Sequence, residues 1–427
     1  MAKNTNVNLR NQVIYSVYVR NHTEEGTFKA IIPDLDRIKK LGTDIIWLMP
    51  IHPIGIKEKK GTLGCPYAIK DYRDVNPNYG TMDEFKELVD EIHSRGMKCI
   101  IDVVYNHTSP DSVLVNEHPE FFFRKPNGDF GNMAGDWGDV IDLDYSNKDL
   151  WRYQIDTLKM WAGIIDGFRC DVASKLPVEF WVQARNEVEE VRPGCIWLAE
   201  TIHPGFIKHL RDNGLIGNTD AQMYEAFDIE YDYDVRDDIT EYLEGKTPLS
   251  SLVKMIMLQE SLYPYNYVKL RCLENHDIPR VKTYIDELDA LKNVTAFNYF
   301  QKGTPLVHAG QEVADDNCPS LFEYDKVNWN TGIDISDLMT RLYGIKKDEL
   351  FATGIYNLKA FDECNTVVGT YEKDDSKITG VFSMKNNSGS VEVGLVDGKY
   401  TDLIYGKKVE VVDGKVDIAV TPVIIKS

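Results

Sequence analysis

In the stretch GFRCDVASK, residues 167–175, Arg169 and Asp171 stand two positions apart inside an otherwise apolar run. Strand alternation points both side chains to one face. A dry core does not take two full charges on one side without a use for them. Polar residues also close other apolar runs: Asp102, Asn106 and His107 in DVVYNH, Glu200 in IWLAE, and Glu274, Asn275, His276 and Asp277 in CLENHD. A single acid at the end of a strand often caps a loop or pairs with an arginine. Three carboxylates, Asp171, Glu200 and Asp277, beside two histidines and an arginine, weigh against a purely structural role. Their chemistry has a precedent in glycosidic cleavage. One carboxylic acid protonates the leaving oxygen, and a carboxylate stands on the other side of the anomeric carbon. At roughly 5–5.5 Å separation the second group is a nucleophile and configuration is retained. Direct pairing with Arg169 would hold Asp171 ionised, giving a nucleophile and its orienting cation in a polar cleft.

Such residues need a scaffold that brings strand ends together. Short apolar runs (QVIYSVYV, DIIWLM, KCIIDVVY, IDGFRCDV, CIWLAE, AQMYEAF, YVKLRCL and TPLVHAG) alternate with amphipathic segments such as MDEFKELVDEIHSRG and KDLWRYQIDTLKMWAG. Near-continuous apolar strands separated by helices read as a parallel sheet covered by helices. Eight repeats predict an α/β fold, a (β/α)8 TIM barrel, with an open doubly wound sheet as the alternative. A barrel of this kind carries chemistry at the C-terminal ends of its strands, which is where the acids fall.

Two regions depart from the alternation. Residues 107–146, rich in Gly, Pro and Asp, are too long for a plain connection and predict a small excursion domain after strand three. From about residue 352 the pattern changes to short strands with DG and NNSG turns, predicting a C-terminal antiparallel β domain. The expected division is a barrel over 1–106 and 147–350, the excursion over 107–146 and the β domain over 351–427.

Composition excludes several classes of partner. With 68 acidic and 48 basic residues the formal charge is −20, which disfavours nucleic acid and anionic membrane and suits a neutral substrate. The 23 Tyr and 7 Trp fit either the packing of a large domain or stacking platforms in a cleft. Seven scattered cysteines without a C-x-x-C pair indicate neither a disulfide framework nor a zinc site. The start, MAKNTNVNLRNQVIYS, lacks the apolar segment of a signal peptide, and no run of about 18 apolar residues occurs, so the expected location is cytoplasmic.

The stretches around Asp102–His107, Arg169–Asp171, Glu200 and His276–Asp277 resemble, in order, the four signature regions of the α-amylase superfamily of glycoside hydrolases. The resemblance spans about residues 12–350, and the C-terminal β domain suits it. It implies that Asp171 is the catalytic nucleophile, Glu200 the general acid/base and Asp277 a third carboxylate stabilising the transition state. Arg169, His107 and His276 match residues that bind the sugar at the cleavage subsite. Tyr67, in CPYAIKDYRDVNPNYGT, matches the aromatic on which that sugar stacks; taken alone, it reads equally as a turn-packing tyrosine. Asp102 reads as a buried partner rather than a catalyst. Asn106 and Asp142 match two positions of the family's calcium site, but Lys175 stands where calcium-binding members often have His. An ammonium cannot ligate Ca²⁺. The expectation is therefore no metal, with Lys175 beside Asp142 supplying positive charge.

The expected activity is a retaining α-amylase cleaving α-1,4 bonds of starch-derived glucans and maltodextrins. The alternative is an α-glucosidase, a neopullulanase-like hydrolase or a transglycosylase acting on short malto-oligosaccharides. A non-catalytic binding protein on the same barrel is disfavoured, because every acid and its polar neighbours are present.

Overall fold

The computed structural model describes residues 4–135 and 137–427. Three parallel strands open the chain: β1 (Ile14–Val17), β2 (Ile45–Leu48) and β3 (Lys98–Val103). The excursion follows, tied at its base by the two-residue antiparallel pair β4 (His107–Thr108) and β5 (Ile141–Asp142). Five further strands, β6 (Gly167–Cys170), β7 (Ile196–Ala199), β8 (Ile229–Tyr231), β9 (Val268–Arg271) and β10 (Thr304–His308), complete a closed parallel barrel in the order β1-β10-β9-β8-β7-β6-β3-β2. Closure leaves no open edge, and the outer helices cover the other face of each strand, so the strand residues are almost all buried.

Helix Met82–Ser94 shows how sequence sets the outer layer. Thr81 and Glu84 form a capping box that satisfies both orphan amides, and Phe85, Leu88, Val89 and Ile92 recur at helical spacing to face the barrel. Helix Lys148–Ala162 starts at Asn147, whose side chain accepts from the Asp149 N–H.

One expected strand is displaced. Residues 221–227 (AQMYEAF) do not form the sixth barrel strand. A short helix, Asp220–Met223, starts from a Thr219/Gln222 capping box, and the strand is Ile229–Tyr231. The short apolar run had no periodicity to separate helix from strand, and the cap decided it.

The C-terminal region is antiparallel. Strands β11 (Ile355–Phe361), β12 (Thr366–Lys373) and β13 (Ser376–Ser383) form a meander. Then come β14 (Ser390–Glu392), β15 (Gly398–Thr401), β16 (Lys408–Val411), β17 (Lys415–Asp417) and β18 (Val423–Lys426). The main sheet runs β11-β12-β13-β18, with two-stranded ribbons β14/β17 and β15/β16 beside it. The Phe300 ring, at the end of a barrel helix, meets Phe351, Tyr371 and Phe382, joining the sheet to the barrel core. Among the described residues no helix is long and apolar enough to cross a membrane.

Candidate active site

The register of β6 explains the opening charges. Asp102 of β3 lies directly beside Arg169 of β6, and the next strand, β7, ends one residue before Glu200. Close approach of β6 to β7 needs Gly167: a Cβ there would lie 2.3 Å from the Ile196 carbonyl oxygen. The Arg169 side chain is fully buried, and one guanidinium serves three carboxylates. Its Nη1 donates to Asp102 Oδ1 (2.9 Å) and Oδ2 (3.0 Å) and to Asp171 Oδ1 (3.0 Å). Its Nη2 lies 3.0 Å from Glu200 Oε2, an ion contact without hydrogen-bond alignment. Nε donates to the Tyr231 hydroxyl (3.2 Å).

The chain after Asp171 is strained. Val172 has φ +37°, unfavourable for a β-branched residue, and its N–H donates to Glu200 Oε2 (2.7 Å). The turn that presents Asp171 thus also orients Glu200. Burial pushes both acids upward, outweighing Arg169 and reinforced by neighbouring carboxylates. Asp171 reaches about 6, with Asp102 and Asp277 adding to the rise. Glu200 reaches about 7, with Asp171 and Asp277 adding to it. Arg169 therefore opposes the rise at Asp171 without cancelling it, a weaker hold on the ionised form than the sequence pairing suggested.

From β9 comes the other half of the site. Asn275 Oδ1 accepts the N–H groups of Asp277 (2.8 Å) and Ile278 (3.1 Å), and its Nδ2 donates to the Tyr233 hydroxyl (2.9 Å), fixing the turn that presents Asp277. The Asp277 side chain is 42% exposed at the mouth, 2.9 Å from His276 Nε2. Partial desolvation pulls Asp277 up, but His276 and Arg169 outweigh it and hold the carboxyl below its usual range. The Tyr67 hydroxyl donates to Asp102 Oδ2 (2.9 Å) and lies 2.7 Å from His276 Nε2, with the two rings stacked. His107 sits in β4 opposite Asp142, with Nε2 4.0 Å from Asp171 Oδ2. Burial lowers its pKa to about 4, so its imidazole is neutral near pH 7.

Tyr67, His107, Asp171, Glu200, His276 and Asp277 all line one cavity of about 230 Å³, with Arg169 beneath Asp171 and Glu200. Two larger hollows, about 590 and 610 Å³, share no lining residue with it. Residues that sequence reasoning passed over also contribute. Trp47 of β2 and Tyr231 of β8 pack against the Arg169 guanidinium, 5.2 and 5.3 Å from their ring centroids. Trp137 covers His107 from the excursion. Tyr231 was hidden by the displaced sixth strand, and Trp47 was legible only as a core residue.

At the position matching the family's calcium site, Asp142 is hydrogen-bonded within the chain. Asp142 Oδ1 accepts N–H from Asn106 and Asn132 (both 3.3 Å), and Oδ2 accepts from Met133 N–H (2.7 Å), so donors already occupy its oxygens. Ca²⁺ requires six to eight oxygen ligands. The buried Lys175 Nζ lies over the Trp137 ring, 4.2 Å from its centroid. Burial lowers its pKa, opposed by Asp142 and Asp171, yet among the described residues its Nζ has no hydrogen-bond partner, Asp142 included. The ammonium is therefore near Asp142 electrostatically rather than bonded to it.

Comparison with known proteins agrees with this geometry. A family model for the alpha amylase catalytic domain matches residues 10–130 and 133–355, and one for a bacterial alpha amylase C-terminal domain matches 357–425. The crystal structure of an alpha-amylase from Lactobacillus plantarum is 44% identical, with a TM-score of 0.96, covering 99% of this chain and 100% of that one. A noncanonic maltogenic alpha-amylase, AmyB from Thermotoga neapolitana, is 33% identical, with a TM-score of 0.87 and coverage of 98% and 99%. The intracellular maltogenic amylase of Bacillus subtilis is 26% identical over 395 residues, 85% of this chain, which spans 62% of that relative's length. A closed parallel barrel with three acids at its C-terminal rim, an excursion after the third strand and a β-sheet domain behind it place this chain in the α-amylase family of glycoside hydrolases.

Proposed function

We propose that the protein is a retaining glycoside hydrolase of α-1,4-linked glucans, acting on starch-derived maltodextrins and malto-oligosaccharides. The observation that carries this is the shared guanidinium: Arg169 meets both Asp171 and Glu200 at 3.0 Å but hydrogen-bonds only Asp171, so it favours an ionised Asp171 beside a Glu200 whose pKa burial raises. Asp171 attacks the anomeric carbon through Oδ2, the oxygen not bonded to Arg169, while Glu200 gives its proton to the departing glycosidic oxygen. The resulting glycosyl ester is hydrolysed by water whose proton returns to Glu200. Asp277 stabilises positive charge on the sugar ring, His276 and the neutral His107 hydrogen-bond its hydroxyls, and the Tyr67 ring supports its apolar face.

Activity then needs Asp171 ionised and Glu200 protonated. It should rise as pH climbs through about 6 and fall as pH passes about 7, giving a narrow bell. Glu200→Gln should remove the alkaline limb. It should also depress hydrolysis of poor leaving groups by far more than of activated aryl glycosides, because protonation helps only the poor ones. Equal losses on both substrates would give Glu200 another role.

A second reading, action mainly on short malto-oligosaccharides inside the cell, is favoured by the small cavity and by relatives named maltogenic and intracellular.

No calcium is part of this reading, because the Asp142 oxygens are already bonded and Lys175 brings its own charge. An ion stabilises a fold only in proportion to its occupancy. Excess EDTA should leave melting temperature and turnover unchanged. A lowered melting temperature restored by added Ca²⁺ would overturn this.

A further inference from the structure

The rim of the cleft is asymmetric. Going round the barrel, Glu200 follows the fifth strand, β7, and β1 lies diametrically opposite, flanked by β2 and β10. An acid that protonates the leaving oxygen must face it. The departing chain therefore lies on the β7 side, and the retained sugars point toward β1.

On that side, residues 56–64 after β2 touch both the loop after β10 and the excursion. One end is clamped to the loop after β10. The Thr62 N–H donates to Glu323 Oε1 (2.9 Å), the Thr62 hydroxyl donates to Glu323 Oε2, and the Leu63 N–H donates to the Phe322 carbonyl (3.1 Å). The contact is close enough that Gly61, at φ +64°, has no space for a side chain: a Cβ would lie 2.6 Å from Phe322 Cβ. Beneath it, the buried Arg20 guanidinium donates to the carbonyls of Gly64 (3.3 Å) and Leu321 (3.1 Å), holding both loops together just past β1. On the other side Lys60 Nζ meets Asp139 Oδ1 of the excursion at 2.8 Å. Lys60, Asp139, Leu321 and Phe322 all line the cavity that holds the acids.

We infer that residues 56–64 are a strap that closes the retained-sugar end of the cleft, so that the enzyme removes short saccharides of fixed length from the non-reducing ends of α-glucans instead of cutting inside them. This rests on the glycosidase reading above and narrows it to chain-end attack. Space agrees: the cavity, about 230 Å³, lies below the roughly 300–1,000 Å³ of ordinary small-molecule sites. The Lys60–Asp139 pair contributes position more than stability, since Lys60 is 45% exposed.

The test uses maltoheptaose labelled at its reducing end, stopped at low conversion, and a cyclic glucan, which has no ends. The proteins are the wild type, Lys60→Ala, Glu323→Ala and a variant with residues 57–62 replaced by two glycines. The wild type should release unlabelled product of one short length and leave the label on one correspondingly shortened chain. The variants should yield longer and mixed fragments, and the strapless one should open the cyclic glucan several-fold faster. If that variant does not fold, broadening by Glu323→Ala still supports the strap. Labelled fragments of many lengths from the first wild-type turnovers, in the distribution the variants give, would overturn it. A folded wild type that cleaves no α-glucan would instead remove the glycosidase reading itself.

Discussion

Asp171→Asn should lower turnover on maltodextrins by several orders of magnitude while the protein stays folded. The amide has nearly the shape of the acid and keeps an oxygen for the 3.0 Å contact with Arg169 Nη1, but it cannot form the glycosyl ester. Removing the covalent route leaves only the other acids and binding, as happens when one member of a catalytic unit is deleted. Stability gives an independent readout. Burial first, then Asp102 and Asp277, raise the Asp171 pKa from 3.8 to about 6 in the folded chain. A raised carboxyl favours folding in its protonated form, a contribution present below about 4 and lost as pH climbs through about 6. At pH 8 the wild type therefore carries a buried charge that folding disfavours, and Asn removes it. The variant should melt at the same temperature as wild type or higher at pH 8, with the difference shrinking toward pH 5. Near-wild-type turnover in a homogeneous folded preparation would remove Asp171 as nucleophile. A large drop in melting temperature at pH 8 would show instead that its charge holds the fold.

Much of this was legible in the sequence, for identifiable physical reasons. Parallel strands buried on both faces read as unbroken apolar runs, so a charge inside or just after one stands out. Arg169, Asp102 and Glu200 were visible that way, and the register then set Asp102 against Arg169. What stayed hidden depended on distant parts of the chain. Tyr231 was lost because a capping box turned residues 220–223 into a helix, while the strand came later and was only three residues long. The Lys175 ammonium was assigned to Asp142, but its position over Trp137 depends on how the excursion folds back, which no local pattern records. The clamp between Thr62 and Glu323 joins residues 261 apart in sequence and was likewise illegible.

Arg169→Met should be the most damaging single change to stability near the site. Among the described residues the arginine is the one cation in contact with all of Asp102, Asp171 and Glu200, and both Arg169 and Asp102 are fully buried. Replacing a whole buried ion group by apolar residues can be neutral, but removing one partner strands charges in a medium that cannot solvate them, at a cost of about 3–5 kcal/mol. Methionine fills much of the volume and can rest against Trp47 and Tyr231, so the loss measures charge more than cavity. The pH dependence separates the two. Burial already raises Asp102 above its usual range, with Arg169 opposing it, so the variant's Asp102 rises further. A carboxyl raised in the folded state stabilises at low pH and loses that contribution as pH climbs through its folded value. The variant should therefore lose melting temperature more steeply than wild type between pH 5 and pH 8. Arg169→Lys keeps a charge but lacks the planar fork that reaches two carboxylates at once, and should fall between the two. Circular-dichroism melts across that pH range decide the matter. A methionine variant as stable as wild type at pH 8, or one whose deficit does not change with pH, would show that the guanidinium is not what holds these carboxylates in the fold.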